Sequence, residues 1–324
     1  MAIKKSNELD FSSKKISMLV TARPGTGKTT LALSAPKPLL IDLENGVDRV
    51  EACHRKDTMT ADEGLNNVEK YNSFIKDLTT EDLSAYDTII VDSLDKFFDI
   101  CTDVVIRESA VNAQKDGKTL SLKGYGAVAR KISDFIKLIK SLGKHIIFIG
   151  HTTEVNDGEV IKTRLNISGN TKNTIWNDID LGGYMTFLGK KRVIYFTPTE
   201  QFDAKGTHGI TGMYEIPELK HTNEGGQESD NHFLTDLFTV FINDLSSTKR
   251  DYEEKKVQYN EDMKLAETIK NATNLDELNA VVVELRGKEL ALTAKKELLT
   301  HCADKAKELN AVYDKEQGKY IANA

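Results

Sequence analysis

The chain has 324 residues, of which 39% are hydrophobic and 29% are charged, and its net charge is −6. This composition is typical of a soluble globular protein, and the length is sufficient for a core domain with a smaller second domain. The three cysteines are widely separated, which argues against a disulfide framework and favours a reducing compartment. No apolar run is long enough to span a membrane, and the amino terminus lacks the apolar core of a signal peptide. We therefore expect a cytoplasmic protein without a membrane partner.

Charge is unevenly distributed along the chain. Residues 104–172 include twelve basic and six acidic side chains, so the rest of the chain is strongly acidic. A positive segment on an acidic protein is compatible with a polyanionic partner, although many solvated helices have a similar composition.

The most informative segment is TARPGTGKTT, residues 21–30. Residues 16–20 before it are mostly apolar and predict a short buried strand, and residues 31–33 after it predict the opening of a helix. Between a strand and a helix, a glycine-rich loop binds phosphate, because its backbone N–H groups and the positive end of the helix converge on the anion. The sequence therefore predicts a nucleotide site formed by Arg23, Pro24, Gly25, Thr26, Gly27, Lys28, Thr29 and Thr30.

Two side chains of this loop have specific expected roles. Lys28 would reach the β- and γ-phosphate oxygens of ATP, and the hydroxyl of Thr29 would ligate Mg²⁺. The Walker A pattern has glycine at the position of Ala22, and alanine is small enough for the turn. The competing interpretation is a glycine turn that contains a lysine by chance.

Two further strands are predicted to end in carboxylates beside the loop. Residues 39–41 form the first, and Glu44 follows it, where it would orient, or accept a proton from, the water that attacks the γ-phosphate. Residues 88–91 form the second, and Asp92 follows it, as in a Walker B strand whose aspartate holds Mg²⁺. The alternative interpretation of Glu44 is an acidic turn residue.

Two histidines lie in chemically suggestive positions. Residues 144–153 predict a buried strand that ends in polar residues at the same edge of the sheet, where His151 or Thr152 would sense the γ-phosphate. A lone histidine is more often structural. Cys53 and His54 do not predict a metal site, because no second pair of ligands lies near them in the sequence.

Two polar segments are candidates for a nucleic-acid surface. Residues 114–126 and 154–173 are predicted as loops, and an amphipathic helix over residues 128–142 separates them. Basic side chains along a loop suit phosphates, and an aromatic ring can stack on a base. Surface loops are generally polar, which is the alternative interpretation. The candidate DNA-binding residues are Lys115, Lys118, Lys123, Tyr125, Lys162, Arg164 and Lys172.

The end of the chain has a different character. From residue 246 onward it consists largely of helix-forming residues, its opposite charges nearly cancel, and it contains no phosphate or metal motif. We therefore predict a core domain, residues 1–245, and a helical interaction domain, residues 246–324. The three predicted helices of this second domain cover residues 249–272, 275–285 and 290–313.

Taken in order, the motifs ARPGTGKT, LLIDLENGVD, TIIVDS and HIIFIGHTT resemble the core of RecA-type recombinases. The likeness is greatest to the compact RecA-like ATPases that phages carry as recombination or single-strand annealing proteins, and it covers about residues 10–215. It implies an α/β fold, a RecA-like P-loop NTPase core with a central, mostly parallel sheet, here followed by a small C-terminal helical domain. By this resemblance Glu44 is the general base, Asp92 is the Mg²⁺ aspartate, and His151 replaces the glutamine that is common at the phosphate sensor of recombinases.

The resemblance also has implications for DNA and for assembly. It places two DNA-binding loops at the two polar segments. Filaments of this type bring a basic residue of a neighbouring subunit to the γ-phosphate, and Lys205 is the candidate in this chain.

The sequence thus predicts an ATPase, with ATP and Mg²⁺ as cofactors, that binds single-stranded DNA and assembles with itself into filaments or rings. Recombination or single-strand annealing would be its function, DNA would stimulate hydrolysis, and the C-terminal helices would bind a single-strand-binding or replication protein. The alternative is a P-loop ATPase motor or loader that acts on protein partners in DNA replication. A small-molecule kinase is disfavoured, because no acceptor-binding lid motif is present.

Overall fold

The computed structural model describes residues 11–60, 62–158, 160–169, 171–219, 230–247, 249–288, 290, 292–314 and 317–323. The chain divides into two compact units, of which one is Leu9–Ser246 and the other includes Ser247–Ala324. In the part of the chain that is described, no helix combines the length and the apolar composition that crossing a membrane requires.

A sheet of nine strands, counted over the described residues, forms the centre of the larger unit. The strands are β1 (Ser17–Ala22), β2 (Pro38–Asp42), β3 (Thr58–Thr60), β4 (Thr88–Asp92), β5 (His145–Asp157), β6 (Val160–Leu165), β7 (Leu181–Leu188), β8 (Lys191–Tyr195) and β9 (Met213–Glu215). Their order is β3-β2-β4-β5-β1-β7-β8-β9, and β6 pairs with β5 outside this path. From β3 to β7 all neighbours are parallel, whereas β6, β8 and β9 are antiparallel to their partners. The predicted α/β fold with a mostly parallel central sheet is therefore confirmed.

Helices cover both faces of this sheet. They are α1 (Lys28–Ala32), α2 (Asn67–Thr80), α3 (Leu94–Glu108), α4 (Leu122–Ser141), α5 (Thr171–Asp178) and α6 (Phe233–Ser246). Short polar side chains cap three of them: Asn66 precedes α2, Ser93 precedes α3 and Ser121 precedes α4, and each accepts a hydrogen bond from a backbone N–H of the first turn. The helix starts are thus determined by local sequence.

The core lies on both faces of the sheet, because successive residues of a strand point in opposite directions. In β1, Leu19 packs into one cluster together with Phe97 of α3, and the next residue, Val20, packs into a second cluster together with Phe238 of α6. Strands that are buried on both faces consist of continuous apolar runs rather than of alternating residues. This is the pattern from which the strands were predicted.

The register of the parallel strands brings their carboxyl ends to one edge of the sheet. Asp42 at the end of β2 lies opposite Asp92 at the end of β4. His151 in β5 lies opposite Ala22 at the end of β1, immediately before the glycine-rich loop. Open parallel sheets bind their ligands beyond this edge, so the fold gathers the predicted site residues where a ligand would be expected.

The two segments predicted as polar loops contain regular structure over part of their length. Residues 154–173 contain the end of β5, all of β6 and the start of α5, and the two strands form an antiparallel hairpin. Residues 114–126 contain a turn, closed by a hydrogen bond from Gln114 N to Thr119 O at 2.7 Å, and the beginning of α4. The loop prediction for residues 154–173 was wrong because an exposed hairpin held by its own backbone hydrogen bonds does not need an apolar stripe. The loop prediction for residues 114–126 was wrong only from residue 122 onward, where α4 begins earlier than predicted.

The smaller unit contains the predicted helices and an additional hairpin. Its elements are α7 (Lys249–Asn271), α8 (Leu275–Gly287), α9 (Leu292–Glu308), β10 (Ala311–Asp314) and β11 (Lys319–Ala322). The last helix was predicted to reach residue 313, but it ends at Glu308, and Asn310 has the left-handed backbone conformation, with φ of 54°, that often terminates a helix. The side chain of Asn279 in α8 then fixes the hairpin, donating to Tyr320 O at 2.8 Å and accepting from Tyr320 N at 2.7 Å.

Candidate nucleotide-binding site

The glycine-rich loop between β1 and α1 has the backbone that its sequence requires. Gly25 and Gly27 have φ angles of 76° and 90°, which glycine adopts without the steric cost that a side chain imposes. Thr26 is buried, and its hydroxyl donates to Arg23 O at 2.9 Å, which closes the loop. Arg23 and Pro24 are exposed at its tip.

Lys28 lies inside the site rather than in solvent. Its exposed fraction is 6%, and its Nζ donates to Ala22 O at 3.2 Å and to Arg23 O at 3.1 Å. Burial lowers the pKa of Lys28, although the carboxylates of Asp92 and Glu44 oppose this effect. An ammonium group has three donors, so one donor remains for an anionic ligand.

The two residues predicted to hold Mg²⁺ are in direct contact. Thr29 Oγ1 donates to Asp92 Oδ2 at 2.7 Å. Burial raises the pKa of Asp92, and the hydrogen bond from Thr29 and the charge of Lys28 act in the opposite direction. A hydroxyl and a carboxylate form the oxygen-only donor set that suits Mg²⁺, so the residues present fit this ion.

Glu44 is positioned by a buried aspartate that the sequence analysis did not single out. Asp42, which is 1% exposed, accepts hydrogen bonds from the backbone N–H groups of Glu44, Gly46 and Val47 at 3.1, 3.1 and 2.8 Å. The carboxylate thus closes the turn after β2. Glu44 Oε1 in turn accepts a hydrogen bond from Ser93 Oγ. A signal existed in the sequence, because an aspartate before a glycine-containing turn commonly bonds to the backbone that follows it.

His151 is held by Asp95, another residue that the sequence analysis missed. His151 Nδ1 lies 3.3 Å from Asp95 Oδ2 and 3.7 Å from Glu44 Oε1, and the backbone N–H of His151 donates to Asp95 Oδ2 at 2.9 Å. The bond to Asp95 raises the pKa of His151, against the opposing effects of burial and of Lys28. Asp95 therefore favours the protonated imidazole next to Glu44.

A single cavity of about 370 Å³ joins these groups. Its walls include the glycine loop, Lys28, Thr29, Glu44, Asp92 and His151. Four ionisable residues that were not predicted from the sequence also line it: Arg49, Glu51, His54 and Arg192.

Glu51, Cys53 and His54 present a cluster of potential metal ligands. One ligand atom of each lies within 4.8 Å of the others, and carboxylate, thiolate and imidazole are all ligands of zinc. Only the Cys53–His54 pair is apparent from the sequence, and the short helix Ala52–His54 brings Glu51 next to this pair. We assign no metal to this cluster.

Lys205 lies in a different environment from the other predicted catalytic residues. Its Nζ donates to Trp176 O, Asn177 O and Ile179 O at 3.0, 3.2 and 2.6 Å. These carbonyls belong to the end of α5 and to the residues just beyond it, where carbonyl groups lack partners within the helix. The amine therefore caps α5, and its role toward a neighbouring subunit stays a prediction.

The basic residues of the first polar segment are exposed. Lys115 and Lys118 lie in the turn before α4, and Lys123 lies in the first turn of the helix. Tyr125 is half-buried and packs on Gly169, where an added Cβ atom would lie 2.9 Å from the tyrosine Cδ1.

The basic residues of the second polar segment are more engaged with the protein. Arg164 Nη1 lies 3.6 Å from Asp203 Oδ1 and also donates to backbone carbonyls. Lys162 lies in β6 and Lys172 in α5, both half-buried. Glu154 in the same hairpin forms an ion pair with Arg23 of the glycine loop. This hairpin is therefore linked directly to the candidate site.

A cavity that presents a buried lysine and a threonine–aspartate pair at the carboxyl edge of a parallel sheet is suited to a nucleotide phosphate. The larger unit is accordingly a P-loop ATPase domain. A family model described as an AAA domain matches residues 14–208, more than half of the chain, and the chain belongs to this family. No curated protein matches the chain.

Proposed function

We propose that the protein is an ATPase that binds ATP with Mg²⁺ in the cavity around Lys28. The observation that carries this proposal is the 2.7 Å contact between Thr29 Oγ1 and Asp92 Oδ2 beside a buried lysine. Lys28 would donate to the β- and γ-phosphates, and Thr29 and Asp92 would hold the metal. Mg²⁺ would neutralise charge on the phosphate oxygens.

Glu44 is the group that we propose to orient the attacking water. Its Oε1 accepts from Ser93 Oγ and faces His151 Nδ1 at 3.7 Å, which leaves the second carboxylate oxygen for a water molecule. Because Ser93 and His151 limit how the carboxylate can turn, the base is held in one orientation before the substrate binds.

Two variants separate binding from turnover. We expect Lys28→Ala to lose nucleotide binding, because the cation that faces the phosphates is removed. We expect Glu44→Gln to retain binding while hydrolysis falls by about a hundredfold or more, because the amide cannot accept a proton. Lys137→Ala, an exposed lysine on α4, is the control. Binding and turnover that persist in Lys28→Ala would refute the proposed ATPase.

We further propose that this ATPase binds single-stranded DNA under the control of its nucleotide, as a recombinase or single-strand annealing protein. Two observations support this proposal. The β5–β6 hairpin continues the strand that carries His151, and its Glu154 pairs with Arg23 of the glycine loop. The start of α4 also lies against the residues that follow the hairpin, with Thr171 Oγ1 donating to Tyr125 O at 3.3 Å. The two basic segments are thus neighbours, and the hairpin contacts the candidate phosphate site through Glu154 and Arg23.

The salt dependence of DNA affinity tests this second proposal. We expect single-stranded DNA to bind tightly only with a nonhydrolysable ATP analogue, and the logarithm of affinity to fall steeply with the logarithm of salt concentration. Replacing Lys115, Lys118 and Lys123 with alanine should reduce the magnitude of that slope by about 2, because each lost phosphate contact contributes about 0.7. ATP binding should not change.

A matched control has the same loss of charge at other exposed lysines of the larger unit, namely Lys56, Lys76 and Lys137. If both triple variants weaken DNA binding equally, the effect is one of net charge and the proposed DNA surface is wrong. A weak, salt-insensitive interaction of the unmodified protein with DNA would contradict the whole DNA-binding proposal.

Self-assembly into filaments or rings, with Lys205 acting on a neighbouring subunit, belongs to the same proposal. Sedimentation with and without nucleotide and DNA would measure self-assembly directly.

The alternative function is an ATPase motor or loader that acts on proteins. Large exposed apolar side chains on the smaller unit favour this alternative. Val257 and Val283 are 58% and 69% exposed, and a contiguous apolar patch that included such residues would be typical of a protein-binding site.

A further inference from the structure

Arg192 lines the candidate nucleotide cavity, and the proposed mechanism gives it no role. Arg192 lies in β8, at the far side of the sheet from Glu44 in strand order. A Cβ atom added to Gly27 would lie 3.5 Å from Arg192 Nε and 3.7 Å from its Cζ. The guanidinium therefore rests against the last glycine of the loop, next to Lys28 in the sequence.

Contacts with the neighbouring strands support Arg192. Arg192 is the cross-strand partner of Phe187 in the β7–β8 hairpin, and its Cζ lies 5.6 Å from the centre of the phenylalanine ring. Its backbone carbonyl accepts a hydrogen bond from Ile216 N at 2.9 Å. The stem is thus supported on an aromatic ring, a contact that is favourable for a guanidinium.

The polar end of Arg192 is available to a ligand. Arg192 is exposed, and over the described ranges its guanidinium takes part in no ion pair or side-chain hydrogen bond. The preceding residue, Lys191, differs in this respect, because its Nζ pairs with Glu215 Oε2 at 2.7 Å. A guanidinium has five donors in a planar fork that matches two phosphate oxygens.

Arg192 also lies at the boundary between two cavities. It lines the 370 Å³ cavity of Lys28 and a neighbouring cavity of about 130 Å³, whose walls include the apolar side chains of Leu31, Met185 and Ile216. Glu44 and His151, which face the terminal phosphate in the proposed function, line only the first cavity. The guanidinium therefore lies beside Gly27, where the first cavity borders a second cavity that neither Glu44 nor His151 lines.

We propose that Arg192 is a nucleotide-binding residue that acts within its own subunit, donating to the non-terminal phosphates beside Gly27. This inference rests on the proposed function, because it assigns a further contact in the same site. It differs from the role predicted for Lys205, which is a cation supplied by a neighbouring subunit and whose amine is bonded to three carbonyls of its own chain.

Binding of ATP, ADP and adenosine to three variants tests this assignment. Arg192→Gln keeps a long polar side chain but removes the charge. We expect it to weaken the binding of ATP and of ADP by the same factor, about tenfold to a hundredfold. Adenosine, which has no phosphate, should bind unchanged. Arg192→Lys should recover part of the loss, because it restores the charge but not the fork. Lys191→Ala should bind all three ligands like the unmodified protein.

The outcomes distinguish this inference from the function on which it rests. If the unmodified protein and Arg192→Gln bind ATP equally well, Arg192 does not contact the nucleotide and only this inference fails. If the unmodified protein does not bind ATP, the proposed function fails as well. A loss confined to ATP would move the contact to the terminal phosphate and overturn the assignment.

A measurement at two protein concentrations tests whether the contact lies within one subunit. If the contact lies within one subunit, Arg192→Gln weakens ATP binding by the same factor below and above the protein concentration at which sedimentation detects association. A loss that occurs only in the associated protein would show that Arg192 reaches a neighbouring subunit, and the assignment would be wrong.

Discussion

The hydrogen bonds that Asp42 accepts can be tested by removing them stepwise. Asp42→Ala removes all three bonds to the backbone N–H groups of Glu44, Gly46 and Val47. Asp42→Asn removes fewer, because Oδ1 accepts two of the bonds and can remain as the amide oxygen, while the bond from Val47 N to Oδ2 is lost. The two variants therefore form a graded series at one buried position.

The structure sets the size of the expected effects. A hydrogen bond to a charged group contributes about 1.5–3 kcal/mol, and the turn that Asp42 closes is only half-buried, so its N–H groups can recover part of this from water. Taking the lower value for each bond, we expect Asp42→Ala to lower the free energy of unfolding by about 4.5 kcal/mol and Asp42→Asn by about 1.5 kcal/mol. Glu44 would also lose its fixed position, so hydrolysis should fall more than ATP affinity.

Denaturant unfolding followed by tryptophan fluorescence is the appropriate assay. The chain has one tryptophan, Trp176, and it lies in the larger unit, so the signal reports on the unit that contains Asp42. Asp48→Ala, an exposed acid in the same segment, is the control for the loss of a negative charge. If Asp42→Ala and Asp48→Ala unfold within about 0.5 kcal/mol of each other, as surface substitutions do, Asp42 does not hold this turn.

Two further predictions concern other contacts. Asp95→Asn should lower the pKa of His151, because the bond to Asp95 is the largest influence that raises this pKa. The stability that Asp95 provides through His151 is fully present below the pKa of histidine in the unfolded chain, about 6.5. This stability is lost as the pH rises through the higher pKa of His151 in the folded protein. Histidine NMR titration of both proteins would measure the change, and an unchanged titration would contradict the contact. Gly182→Ala should destabilise the larger unit by about 1–3 kcal/mol, because the new methyl group would overlap the ring of Trp176. Gly189→Ala, at a turn where no atom lies within 4 Å of the added Cβ, should cost only the backbone strain of about 1 kcal/mol, and equal losses in both variants would refute the overlap.

Much of the candidate site follows from local sequence. The apolar run of β1, the glycine-rich loop and the start of α1 are consecutive, so the position of Lys28 depends on the chain's own turn rather than on distant residues. Predicting the position of Asp92 also required the assumption of a parallel sheet. Asp92 follows a predicted strand, and the strands of such a sheet end at a common edge. The contact between Thr29 and Asp92 is the result of these two local patterns.

The loop prediction for residues 154–173 was wrong because this polar segment contains regular structure. The β5–β6 hairpin contains few apolar residues, and its Val155 and Ile161 are 45% and 57% exposed. Its strands are held by paired backbone groups, which leave little trace in the pattern of side chains. The hairpin β10–β11 was missed for a related reason, because four-residue strands are too short to show a period.

Only the tertiary structure decided which distant side chains meet. Asp95 contacts His151 although 55 residues separate them in the chain, and Arg192 rests against Gly27 from a strand beyond β7. Lys205 donates to carbonyls at the end of α5, a contact that the sequence did not indicate. Sequence determines which residues lie at the ends of strands, but the order and register of those strands determine which side chains come within hydrogen-bonding distance. That order is set by the packing of both faces of the sheet, and no single segment of the chain specifies it.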